Sequence, residues 1–172
     1  MTKRVPMASA IFVVAIFAFT AALPRIAAQT TAQRSFDELK SLAGSWEGKN
    51  SHGTRLTVTF RDTAGGSALL SEIHGHGREN MVTMFYLDGP SRLLMTHFCG
   101  AGNQPRMTGS ASADGKIITF HFLDATNLRD PEAGHMARVV FTILDADHHT
   151  EDWTFADHGE ETRELFDLQR MK

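Results

Sequence analysis

Nine histidines and one cysteine are the side chains with the widest chemical range in this chain of 172 residues. His97 and Cys99 are separated by one residue, so on a β-strand they share a face with their Cα atoms about 7 Å apart. A third donor, His135 or His121, would complete a three-coordinate zinc or copper site, and a single imidazole could bind haem iron axially. The His97-x-Cys99 spacing therefore supports a haem or transition-metal site as one hypothesis.

The same residue types also support an enzyme. Cys99 beside His97 could act as an activated nucleophile. His97 and His135 could act as a general acid and base, as an isomerase or hydrolase would need. The alternative for Cys99 is a buried thiol without chemistry, the commoner state of a free cysteine. The sequence contains no G-x-S-x-G, H-E-x-x-H, P-loop or G-x-G-x-x-G stretch, so no motif supports a specific reaction.

The hydrophobic pattern predicts the strands that must position these groups. From residue 45 onward apolar side chains recur with a period of two, and turn sequences such as Ala64-Gly65-Gly66 and Asp114-Gly115 separate the segments. The predicted strands lie near residues 45–51, 54–61, 67–76, 79–87, 92–99, 106–112, 116–124, 135–144, 148–156 and 160–170. Ten strands with short connections predict an all-β fold, a single up-and-down antiparallel β-barrel, because closure removes exposed sheet edges. A β-sandwich is the alternative.

One short helix is predicted before the first strand. Ser35 and Glu38 have the spacing of a capping box, and Phe36, Leu39 and Leu42 recur at helical spacing. The barrel domain is therefore expected to span residues 35–172, with residues 29–34 as a flexible segment before it.

The first 28 residues have the order of a secretory signal peptide. Lys3 and Arg4 precede an uncharged apolar run over residues 8–23, and Ala27-Ala28 provides small residues for cleavage after Ala28. The apolar run is shorter than the ~20 residues that span a bilayer. The chain is therefore expected to be exported, to the periplasm or beyond the cell, with no membrane insertion of its mature part.

The charge balance disfavours nucleic acid as a partner. The chain carries 17 Lys and Arg against 20 Asp and Glu, a net charge of −3. Cleavage after Ala28 would remove three bases and no acid, which leaves fourteen bases against the twenty acids and a net charge of −6. A chain without a positive excess has little charge with which to neutralise phosphates.

Gly44-Ser45-Trp46, directly after the predicted helix, resembles the G-x-W signature of the calycins, which include lipocalins, fatty-acid-binding proteins and haem-binding nitrobindins. The resemblance implies that Trp46 packs across the closed end of the barrel against an Arg on the last strand, the position of Arg170. The strand count is nearer to the fatty-acid-binding and nitrobindin barrels than to the eight-stranded lipocalins. The run from Thr96 to Met107 resembles exported bacterial barrels of unassigned function, which implies no activity.

An up-and-down barrel gathers the loops after odd-numbered strands at one rim, here called the mouth, while the helix closes the other end, the floor. Two long loops, 100–105 and 125–134, lie at the mouth. Strand parity predicts His97, Cys99 and His135 on the inner wall, and leaves His121 without an assigned face. The side chains expected to supply contacts on the rim are Asn103, Arg106 and Asn127.

The leading prediction is a protein that binds a small, largely apolar molecule at a histidine-rich mouth. The apolar wall of this site is expected to come from Met81 or Met84, Phe85, Met95 and Phe141. Seven histidines are expected at or near the mouth, namely His52, His74, His76, His97, His121, His135 and His158. Only His148 and His149 are expected at the floor.

Overall fold

The computed structural model describes residues 29–75 and 80–172. The predicted signal peptide, residues 1–28, and His76 lie outside the described residues.

The helix begins earlier than the sequence predicts. Helix α1 spans Thr31–Lys40, and Thr30 caps it by accepting a hydrogen bond from the backbone N–H of Gln33. The capping-box prediction at Ser35 is wrong because Ser35 lies buried inside the helix, where its hydroxyl donates to the carbonyl of Thr31. The segment 29–34, expected to be flexible, is therefore mostly the first turn of α1. Within the described ranges, no helix has the length and apolar character needed to cross a membrane.

Ten strands follow, as the period of two predicts. They are β1 Gly44–Asn50, β2 Arg55–Thr63, β3 Ala68–His74, β4 Met81–Asp88, β5 Arg92–Phe98, β6 Gln104–Ala111, β7 Ile117–Thr126, β8 His135–Asp145, β9 His148–Asp157 and β10 Glu160–Arg170. Each strand pairs antiparallel with its neighbours in sequence, and β1 also pairs with β10, which closes the barrel. The predicted up-and-down barrel is confirmed, and the sandwich alternative is excluded.

Aromatic side chains fill the interior of the barrel. The ring of Phe85 lies 5.5 Å from that of Phe120 and 5.6 Å from that of Phe141, all with tilted or edge-on geometry. Phe85, Phe141 and Met95 are therefore fully buried core residues. The expectation that they line an open pocket is wrong. Met84 lies on the outer face, opposite Leu70 on β3, because its neighbour Phe85 points inward.

Trp46 and Arg170 close the floor as the G-x-W resemblance implied. They are directly paired between β1 and β10, and the guanidinium of Arg170 lies over the indole of Trp46, 4.2 Å from the ring centre. The Trp46 indole N–H donates to the carbonyl of Leu42 at the end of the helix. Trp46 thereby fixes the helix against the barrel floor.

Arg170 also ties three segments together through its own donors. It donates to the carbonyls of Ser41 at 2.9 Å, Ala43 at 2.8 Å and Ala146 at 2.8 Å. Gly44 makes room for this arrangement, since a Cβ at its position would lie 2.8 Å from Nη1 of Arg170, and its φ of +132° favours glycine. The first residue of the G-x-W motif is therefore required by the arginine at the other end of the chain.

Arg170→Met should destabilise the fold by about 2–4 kcal/mol, because three carbonyls lose a charged donor while the apolar stem is kept. The urea midpoint followed by circular dichroism would measure the loss. Arg92→Met is the matched control: Arg92 pairs with Asp88 at the surface, where ion pairs contribute little. Equal effects of the two substitutions would contradict the role given to Arg170.

Candidate functional site

The mouth of the barrel contains a small pocket of about 120 Å³ between β4, β8, β9 and β10. We call it the mouth pocket. Apolar and polar side chains contribute about equally to its lining, which comprises Met81, Met136, Trp153, Phe155 and Phe166 together with His52, Thr162, Arg163 and Glu164. Of the apolar wall expected from the sequence, Met81 alone takes part.

His97 does not line the mouth pocket itself but packs against Trp153, which does. It is fully buried on the inner face of β5, and its ring lies 4.9 Å from that of Trp153. Thr83, directly opposite on β4, shares a hydrogen bond of 2.8 Å with Nδ1 of His97. Nε2 of His97 is buried without a hydrogen-bond partner among the described residues. The imidazole is therefore hydrogen-bonded through Nδ1, and Nε2 is available to a further partner.

Burial also fixes the charge state of His97. Loss of solvent around the ring lowers the pKa of His97 from 6.5 to about 4. The side chain is consequently neutral at neutral pH, and one of its two nitrogens carries a proton while the other is an acceptor.

A carboxylate lies deeper in the barrel, on the same strand as Trp153. Glu151 is fully buried, and its two oxygens accept from the Trp153 indole N–H at 2.9 Å and from Nε2–H of His149 at 3.2 Å. His149 was expected in a turn at the floor, but it points into the barrel and meets Trp46 edge-on at 4.2 Å. Glu151 therefore fixes the orientation of the Trp153 indole, which forms part of the lining of the mouth pocket.

Sequence reasoning missed Glu151, His149 and Thr83. The signal that could have found them is parity. His149 and Glu151 share the parity of Trp153 on β9, and Thr83 shares that of Phe85 on β4. The sequence analysis did not place these residues inside the barrel because polar residues are ordinarily assigned to the outer face.

Cys99 does not have the environment of a nucleophile. It follows the last residue of β5, and its partial burial raises the pKa of its thiol, which a hydrogen bond from the backbone N–H of Ala101 only partly offsets. A raised pKa keeps the sulfur as a thiol, whereas reactive cysteines need the thiolate.

His135 lies at the mouth end of the barrel, and a register shift between Met136 and Arg138 interrupts the parity from which its inner face was predicted. His135 is buried at the start of β8, its Nδ1–H donates to the carbonyl of Ala133, and its ring lies 4.3 Å from that of Phe122. His97, Cys99 and His135 do not converge on one point, however. Across residues 29–75 and 80–172, no three His, Cys, Asp or Glu side chains are arranged to hold a metal ion.

Asn103 and Asn127 lie on the rim and join its two long loops. Asn103 is buried and donates to the carbonyl of Gly134, while Asn127 donates to the carbonyl of Gly102. They border a cleft of about 710 Å³ between the β5–β6 loop, the β7–β8 loop and the β9–β10 turn, here called the rim cleft. The amide oxygen of Asn103 has no hydrogen-bond partner among the described residues.

Two predicted site residues lie outside the barrel. Arg106 is an exposed side chain within β6 and forms a two-pronged ion pair with Asp124 on β7. His121 is exposed on the outer face of β7, opposite Arg138. Both point outward because the neighbouring residues Met107 and Phe120 occupy the inner face.

Phe155 separates the two cavities. Its side chain lines both the mouth pocket and the rim cleft. The ring lies against the backbone of Gly134, where a Cβ would come within 2.7 Å of it. Phe155 is therefore a wall that the two cavities share.

No protein-family model matches this chain, and no curated protein matches it. The crystal structure of Rv2717c from M. tuberculosis is similar, with a TM-score of 0.58 and 17% identity. The match covers 80% of this chain and 98% of that one. The likeness is in the fold alone. It agrees with the barrel fold.

The buried His97 predicts a specific pH dependence of stability. Its pKa is about 4 in the folded state against 6.5 for the free side chain, so the unfolded chain takes up the proton first as the pH falls. Stability should therefore decrease as the pH falls from 6.5 toward 4, by about 3 kcal/mol in total from this residue.

Urea unfolding at several pH values between 7 and 4 would measure this loss. His97→Gln should flatten the dependence in that window, whereas His121→Gln, a change at an exposed histidine, should leave it intact. The same slope in the wild-type protein and His97→Gln would contradict the assignment.

Glu151→Ala should destabilise the protein by about 3–5 kcal/mol, because it leaves the buried N–H groups of His149 and Trp153 without acceptors. Glu151→Gln should cost less, since the amide oxygen still accepts from Trp153. Urea unfolding measures both, and near-ultraviolet circular dichroism reports the indole environment. Glu47→Ala, at an exposed glutamate on β1, is the control. A loss at Glu47 as large as that at Glu151 would refute the role of the buried carboxylate.

Proposed function

We propose that this protein is an exported binding barrel that holds a small, largely apolar molecule in the mouth pocket, in front of His97. The observation that carries the proposal is a pocket lined in part by aromatic and methionine side chains, one of which, Trp153, packs against a buried imidazole whose Nε2 has no partner among the described residues. Ligand sites in proteins ordinarily combine apolar walls with a few placed polar atoms.

The architecture supports a single route of entry. Trp46 and Arg170 close the floor, and the aromatic rings of the interior fill the space above them. A ligand would therefore enter from the mouth, where His52, His135 and His158 lie in or beside the loops. These three histidines support the histidine-rich mouth expected from the sequence.

The volume limits the size of the ligand. Drug-sized ligands occupy pockets of ~300–1,000 Å³, whereas an apolar cavity of ~150 Å³ accommodates benzene. The mouth pocket, at about 120 Å³, fits a molecule of about one ring. A larger ligand would require Phe155 to move and join the mouth pocket to the rim cleft.

Export is proposed from the sequence of residues 1–28. A basic start, an apolar run and small residues at Ala27-Ala28 support cleavage and passage through a membrane. The mature chain would then meet its ligand outside the cytoplasm.

The two alternative functions have less support. A transition-metal site would need His97, Cys99 and His135 to converge, which they do not. The residues present also do not fit a haem, since a porphyrin is much larger than the mouth pocket in front of His97. An enzyme that uses His97 and Cys99 would need a reactive thiolate, and burial raises the pKa of Cys99.

Methyl resonances of the methionines provide the test. Met81 and Met136 line the mouth pocket, whereas Met171 is exposed at the end of the chain. With ¹³C-methyl methionine, a library of single-ring apolar fragments should contain members that shift the Met81 and Met136 signals and leave Met171 unchanged. A library without any such member would refute binding in the mouth pocket.

Phe155→Ala should enlarge the range of accepted fragments toward two-ring molecules, because it removes the barrier between the two cavities. Phe98→Ala is the matched control, since Phe98 is half exposed on the outer face of β5. An unchanged size limit in Phe155→Ala would show that this ring does not gate the pocket.

A further inference from the structure

The free nitrogen of His97 selects among ligands by chemistry. Leaving a buried hydrogen-bonding atom unpaired is unfavourable, so a ligand that supplies the missing partner gains affinity over one of equal shape that does not. Thr83 is hydrogen-bonded to Nδ1, so Nε2 is the nitrogen with which a ligand could pair. The ring of Trp153, in contact with His97, forms part of the pocket lining.

Met81 is a pocket-lining side chain on the strand that also carries Thr83, the hydrogen-bond partner of His97. It precedes Thr83 by two residues on β4, so the two share the inner face beside His97. Met81 also lines the mouth pocket. A methionine side chain is unbranched and adapts readily to a new neighbour.

The charges around the mouth pocket disfavour an anionic ligand. Arg163 lines the pocket, but its guanidinium is engaged in a two-pronged ion pair with Asp152. Glu164 lines the same pocket, and its carboxylate accepts a hydrogen bond from the side-chain amide of Asn50. A ligand with a carboxylate would thus meet the anionic Glu164 and an arginine that is already paired with Asp152. The imidazole of His97 is neutral at neutral pH and adds no positive charge.

The hydrogen bond between Thr83 and His97 is compatible with either tautomer. Nε2 donates if Nδ1 accepts from the threonine hydroxyl, and it accepts if Nδ1 donates. A hydroxyl group both donates and accepts, so it pairs with Nε2 in either case.

We propose that the ligand of the mouth pocket is an uncharged, single-ring molecule that carries a hydroxyl group, and that this hydroxyl pairs with Nε2 of His97. The proposal rests on the binding function proposed for that pocket. It adds the chemical class of the ligand and names the atom that recognises it.

Three probes of nearly equal shape test this class at pH 7: phenol, toluene and benzoate. Phenol should bind about tenfold more tightly than toluene, because it alone adds a hydrogen bond to a neutral ring. Benzoate should bind more weakly than either. Calorimetric titration gives the affinities, and the methyl signals of Met81 and Met136 confirm that binding occurs in the mouth pocket.

His97→Phe removes the nitrogen and keeps a flat ring of similar size. It should still bind toluene and should lose the preference for phenol. If this variant does not fold, the wild-type protein labelled with ¹⁵N-histidine supplies the decisive measurement, in which phenol shifts the Nε2 resonance of His97 more than toluene does. An unmoved Nε2 signal at saturating phenol would overturn the proposal and assign that atom to a buried water.

The outcomes separate the two proposals. Equal affinities for phenol and toluene, or a preference for benzoate, would overturn the hydroxyl class while the pocket stands as a binding site. Failure of all three probes and of the wider fragment library to move Met81 and Met136 would overturn the binding function itself. Phenol preference that disappears in His97→Phe would support both.

Discussion

A carboxylate buried in the middle of a barrel constrains everything around it. Glu151 has no contact with solvent, so the free energy of removing its charge from water must be offset by donors held at close range. The period of two supplies them, because residues two positions before and after Glu151 face the same interior. His149 and Trp153 are those residues, and both donate to it. One strand thus carries the acid and both of its partners, and the indole of Trp153 is fixed as a consequence.

Contacts that start from this carboxylate connect the two ends of the barrel. On the floor side, His149 meets Trp46, which lies under the guanidinium that closes that end. On the mouth side, Trp153 meets His97, which is held by Thr83. The full series, from floor to mouth, is Arg170, Trp46, His149, Glu151, Trp153, His97 and Thr83. Because each member is fixed by the next, the position of Trp153 in the mouth pocket depends on the packing of the whole interior as well as on the mouth loops.

The sequence predicts the fold much better than the site. Alternation predicts all ten strands, and the G-x-W resemblance predicts the contact between Trp46 and Arg170, because both depend on local pattern. Arg106 was misplaced because β6 begins two residues before the predicted strand, so a residue expected on the rim lies within the strand and points outward. Glu151 was missed because it stands between the polar residues Thr150 and Asp152, so nothing local marks its burial. Its donors become visible only when strand parity is applied to polar side chains too.

The distribution of unsatisfied polar atoms argues for a site at the mouth. In the described part of the chain, four buried side-chain atoms have no hydrogen-bond partner: His97 Nε2, Asn103 Oδ1, His149 Nδ1 and Thr154 Oγ1. His97 packs against Trp153, which lines the mouth pocket, and Asn103 borders the rim cleft. His149, by contrast, is enclosed by aromatic rings near the floor, where a ligand has no route. An unpaired atom costs stability wherever it lies, but only beside a cavity can a binding partner remove that cost. The polar atoms near the cavities are therefore the ones that a bound molecule could pair with, and the filled interior beneath them leaves no space for a molecule deeper in the barrel.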